Sequence, residues 1–137
     1  MSPPPRTIVH VPRRFTADEW GGTETVILET ARQQQRESWH PVVVTSLALS
    51  DRRHEEIAGV PVHRHPYCYP YLGLTAADRA ALDKKGGNLL SFSLLGRLLA
   101  TPDVRLYHAH ALKRLGAEVR TAARLRRKPY VVSLHGG

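Results

Sequence analysis

Four features of this 137-residue chain are suited to binding or catalysis: a Gly-Gly pair, a strand-end histidine and two His-x-His pairs. Gly21 and Gly22 stand directly before a helical stretch. Backbone free of side chains there lets a phosphate approach unpaired N–H groups at the positive end of the helix dipole. The pair also reads as a plain turn, since neither the G-x-G-x-x-G nor the P-loop spacing is present. His135 follows the apolar run 130–134 and precedes Gly136 and Gly137, which places it at the carboxyl edge of a sheet beside open backbone. A histidine so placed can hydrogen-bond a ligand hydroxyl or a developing charge, or it can simply cap the strand.

His108 and His110, like His63 and His65, form pairs whose members point the same way in a strand. Metal binding is geometrically open to them, but no carboxylate or cysteine stands ready to complete either site, so no metal is expected. His110 is expected to help start the following helix, and His63 and His65 to lie near a surface loop. Lys113, Arg120, Arg124 and Arg127 form a basic stripe, which reads either as a solvated helix face or as attachment to an anionic surface. No Ser-His-Asp order, paired carboxylates or aromatic-basic interleaving of a nucleic-acid binder is present.

Hydrophobic patterning predicts the strands and helices around these residues. Runs 7–11, 42–45, 60–63, 104–108 and 130–134 are rich in β-branched residues and predict five strands, several of them continuous enough for a sheet covered on both faces. Between the first two, 23–35 lacks Gly and Pro and sets Val26, Ile27, Thr30 and Ala31 on one helical face. The stretch 112–127 has Leu112, Leu115, Val119 and Ala122 on one stripe opposite its basic residues. Thr75 and Asp78 resemble a capping box that opens a helix ended by Gly86 and Gly87, and 89–100 predicts a further apolar helix. The segment 64–74, with two prolines and three tyrosines, reads as an irregular loop. Strand and helix in alternation imply a doubly wound α/β sheet, with ligands expected at the carboxyl ends of the strands: at 12–22, at 109–112 and at 135–137.

Hydrophobic residues at 42% and charged residues at 23% fit one ordinary globular domain over 7–137, preceded by a flexible Pro-rich stretch at 1–6. The single cysteine, Cys68, excludes an intramolecular disulfide, and with no signal-like or spanning apolar run a cytoplasmic location is expected. A net charge of +8 favours anionic partners without selecting one, and allows peripheral contact with the inner face of an anionic membrane. Charge alone gives no ground for a nucleic-acid partner.

Taken in order, several pieces resemble the N-terminal domain of family 4 glycosyltransferases, the retaining enzymes of GT-B type. These are Ile8 to Val11, Gly21-Gly22-Thr23-Glu24, Trp39-His40-Pro41 leading into 42–45, Val60-Pro61-Val62-His63-Arg64, 104–110, and the ending Pro129 to Gly136. The resemblance implies a Rossmann-like domain that holds the acceptor and faces a second, donor-binding domain across a cleft. It implies Gly21 and Gly22 against the donor diphosphate, His135 near the donor sugar as the catalytic residue, and His110 and Gly136 lining the cleft. The donor would be a nucleotide-sugar, with no cofactor, and transfer would proceed with retention to an unidentified acceptor. The family's Glu-x7-Glu motif has no counterpart here, so the donor domain is expected elsewhere, in cis or as a separate chain, and residues 1–137 alone are expected to be inactive. The competing expectation is a stand-alone Rossmann-like module that binds an anionic ligand and is not an enzyme.

Overall fold

The computed structural model describes residues 6–85 and 87–135. Gly136 and Gly86, and all but the last residue of the Pro-rich 1–6 stretch, lie outside them. Six strands form one sheet in the order β3-β4-β2-β1-β5-β6, with β1 Thr7–Val11, β2 His40–Ser46, β3 His54–Ile57, β4 Val60–His65, β5 Val104–Ala109 and β6 Tyr130–Val132. Every pairing is parallel except β3 with β4. This is the doubly wound, Rossmann-like sheet expected, with an added antiparallel edge.

Four helices cover the sheet: α1 Gly22–Arg36, α2 Ala76–Lys85, α3 Phe92–Ala100 and α4 Lys113–Arg126. Strand alternation sends Val9, Val11, Val42, Val44 and Tyr107 to one face, where they pack with Leu94, Leu98, Leu115, Val119 and Ala122 of α3 and α4. Val43, Val60 and Val62 face the other way, onto Ile27 and Ala31 of α1 and onto Phe15. His10 and His108, partners in the β1–β5 register, therefore lie on the α1 face. Because β2 runs to one side of β1 and β5 to the other, the carboxyl ends of β1 and β5 flank the point where strand order reverses, the crevice in which such folds hold ligands.

Several expectations are corrected. Val26 is exposed, and the buried stripe of α1 is Glu24, Ile27 and Ala31. Leu112 is likewise exposed, at the cap of α4. The apolar helix starts at Phe92 rather than 89, because the Ser91 hydroxyl accepts from the Leu94 N–H at 3.1 Å and caps it there. β4 runs on to His65, so His63 and Arg64 sit in the sheet, and His65 ends the strand beside the 66–74 segment. All three residues of β6 are exposed, which makes it an edge strand rather than a doubly covered one. The 66–74 segment is irregular as expected, but Asp83 of α2 holds it, accepting from the Tyr67 and Tyr69 hydroxyls at 2.6 and 2.7 Å.

Gly116, in the first turn of α4, packs so close to the chain before it that a Cβ there would stand 2.8 Å from the Ala111 carbonyl oxygen. Backbone cannot swing aside as a side chain can. Gly116→Ala is therefore expected to cost about 1–3 kcal/mol by overpacking, read as a lowered urea midpoint. An unchanged midpoint would show that the 110–112 turn gives way freely.

Candidate functional site

The crevice holds two adjoining cavities. One, of about 280 Å³, is lined by Pro12, Arg13, Arg14, Gly21, Gly22, Thr23, Glu24 and His110. The other, of about 330 Å³, includes Arg13, Thr23, Asn88, His110, Lys113, Ser133 and His135 among its lining. Arg13, Thr23 and His110 belong to both. The structure thus brings together the Gly-Gly turn, His110 and His135, which lie far apart in sequence.

Each arrives there for a local reason. Gly21 caps α1 from an extended conformation, and its N–H donates to the Glu24 Oε2 at 2.9 Å. That carboxylate already occupies the Gly21 donor, so the open helix-start groups belong to Gly22 and the residues after it. A Cβ at Gly22 would meet nothing within 4 Å, so the space beside it is free for a ligand. Arg13 leaves β1 toward the same space, donating one guanidinium N–H to the Asp83 carbonyl oxygen. Its Nη1 is buried without a hydrogen-bond partner among the described residues. Burial lowers its pKa from the ordinary arginine value, while Tyr69 and Asp83 act the other way. Arg13 as a residue lines both cavities, so its positive charge lies beside any anion held there.

His110 does not start α4, as its sequence position suggested; Leu112 takes the cap. Its N–H instead donates to the Val11 carbonyl oxygen at 3.0 Å, which fixes the ring beside β1. Its Nε2 lies 3.0 Å from His10 Nδ1 and its Nδ1 lies 2.9 Å from His135 Nε2. His10 Nε2 in turn reaches Gln34 Oε1 of α1 at 2.8 Å. His108 stacks on His110 with ring centroids 4.0 Å apart, and its Nε2 contacts the Ser133 hydroxyl at 2.6 Å.

Burial sets the charge state of this cluster. It pushes His10 down to about 4, with the Gln34 hydrogen bond opposing and His108 assisting. His110 falls to about 2, again mainly through burial and then through the neighbouring histidines. His108 is lowered by burial and by His135. Near neutral pH these imidazoles are uncharged.

His10, His108 and His110 each offer a ring nitrogen, all within 4.8 Å of one another, and neutral imidazoles at that spacing could hold a transition-metal ion. Two of these ligands are visible as His-x-His, but His10 is not, since it sits inside an apolar β1 run. The missed clue was the pairing of that strand's even-numbered histidine with the one on β5. Arg13 was missed for a different reason, since its burial depends on Asp83, 70 residues away.

Residues 21–137 match the glycosyl transferase 4-like domain family, and the chain belongs to it. A comparison with curated proteins returns no match. Membership carries a glycosyltransferase role in general terms. β1, with His10 and Arg13 at and beyond its carboxyl end, precedes the matched segment. Among the described residues, no helix is long and apolar enough to cross a membrane.

Proposed function

We propose that this domain is the acceptor-side lobe of a retaining glycosyltransferase that takes a sugar from a nucleotide-sugar donor, with a second lobe closing the crevice. The observation that carries the reading is the continuity of the two cavities. A helix start and Arg13 line one, His135 lines the other, and Arg13, Thr23 and His110 join them. A diphosphate beside Gly22 and Arg13 would sit where N–H groups and a cation stabilise a departing anion. The attached sugar would then reach toward His135.

The test is made on the two-lobed protein with a panel of nucleotide-sugars. Gly22→Val fills space that the fold leaves open, so it should weaken donor binding about tenfold or more while the melting temperature stays put. His135→Ala should lower turnover by about 30-fold or more, equivalent to about 2 kcal/mol of barrier. Donor affinity unchanged in Gly22→Val would remove the diphosphate from this cavity. For the isolated lobe, one anchor cannot offset the freedom a nucleotide-sugar loses on binding, and affinity should be weaker than about millimolar. Micromolar binding to the lobe alone would instead favour a stand-alone module.

A further inference from the structure

Gln34, His10, His110 and His135 form an unbroken hydrogen-bonded chain from α1 to the cavity wall, with steps of 2.8, 3.0 and 2.9 Å. An uncharged imidazole carries one N–H and one bare nitrogen, so a chain of them can point only one way throughout. Gln34 decides the way. With its Oε1 turned to His10, as it stands here, the amide accepts, so His10 Nε2 carries the proton and His10 Nδ1 is bare. That bare nitrogen requires the proton on His110 Nε2, which leaves His110 Nδ1 bare. His135 must then donate from Nε2, and in the uncharged form of that ring Nδ1 is the acceptor.

We propose that Gln34, His10 and His110 are positioning residues that hold His135 as the Nε2–H tautomer, so that its Nδ1 accepts from a hydroxyl of the transferred sugar. This rests on the donor reading above for its ligand, but not for the tautomer. A bare nitrogen attracts an O–H group and repels a phosphate oxygen, so the chain of protons also separates the sugar side of the crevice from the diphosphate side. Gln34 makes that distinction from α1, with the rings of His10 and His110 between it and His135.

Nitrogen-15 NMR of the histidine rings in this chain, at pH 7.5 with EDTA, reads the tautomer without any donor. His135 should show a protonated Nε2 and a bare Nδ1. Gln34→Leu removes the terminal acceptor and should bring up the Nδ1–H form, whereas Gln34→Glu keeps an acceptor and should retain the native form. A protonated Nδ1 in the wild type overturns the proposal, as does a His135 signal indifferent to Gln34→Leu in a folded variant. A change of the His10 and His110 signals on adding EDTA also overturns it, because the trio would then be a metal site. In the two-lobed protein, Gln34→Leu should lower turnover of nucleotide-sugar about tenfold and leave inhibition by nucleoside diphosphate within about twofold. Equal weakening of both would place His135 on the phosphates and overturn the hydroxyl assignment, while the NMR result would stand apart from any failure of the donor reading.

Discussion

Acidification from pH 6.5 toward 4 is expected to strip about 3 kcal/mol of stability from this fold through His10 alone. The ring has no exposure, and burial holds its pKa at about 4 against an ordinary 6.5. A lowered folded-state pKa means that the unfolded chain binds the proton first. The stabilisation is therefore complete above about pH 6.5 and is lost as pH falls through 4, at about 1.4 kcal/mol for each pH unit between. His65, also held near 4 mainly by burial, and His110 act in the same direction. Urea unfolding at pH 7.5, 5.5 and 4.5 reads the slope. His10→Phe should start less stable, because His110 Nε2 loses its partner, and yet lose less on acidification than the wild type. An equal slope in the two proteins would show that His10 is protonated at little cost and that its burial is relieved in solution.

The same histidine shows what the sequence could and could not reveal. A doubly wound α/β fold was legible because its strands are apolar and its helices periodic, and those patterns are local. The crevice at the strand ends followed from the topology, and Gly21, Gly22, His110 and His135 do converge on it. His10 was hidden because a single polar residue in Thr-Ile-Val-His-Val does not disturb a strand pattern. Its meaning comes from β5 and α1, whose histidines and Gln34 are brought to it only by register and helix packing. β3 was missed because His-Glu-Glu-Ile is polar and lies at the sheet edge, where burial does not impose alternation. Gly136, expected to line the cleft, lies beyond the described residues.

The orientation of α1 has a comparable origin. Glu24 is buried at the first turn and spends its carboxylate on Gly21, which fixes the helix start and leaves Gly22 as the open face. Gln34, three turns on, then falls opposite the end of β1, so one helix supplies both the start that lines the crevice and the acceptor that ends the histidine chain. A rotation of α1 that displaced one would displace the other. The loop that delivers the chain from β1 into α1 thus governs both halves of the crevice.

That loop is held by Arg64, and Arg64→Ala is expected to cost about 3–5 kcal/mol, the usual loss when one partner of a buried ionic cluster is removed. Read from sequence, Arg64 began a loop; in the fold it is 1% exposed on β4. Its Nε and Nη2 donate to the Phe15 carbonyl oxygen at 3.0 and 2.6 Å, and its Nη1 donates to the Arg52 carbonyl oxygen at 3.0 Å and to Glu55 Oε2 at 2.6 Å. Phe15 is itself fully buried, so without the guanidinium its carbonyl loses its donors in a place water reaches poorly. Glu55 keeps 20% of its side chain exposed and can be rehydrated, so Glu55→Ala should cost only about 1 kcal/mol. Urea denaturation of the two variants separates the contributions. Equal costs would make the ion pair dominant, and a loss below about 1 kcal/mol for Arg64→Ala would mean that the loop is held by Phe15 packing instead. Because Arg13 and Arg14 precede Phe15 directly and the α1 start follows it, any Arg64→Ala protein that still folds should also lose donor affinity in the two-lobed form. The guanidinium on β4 would then have acted on the proposed donor site without touching a ligand.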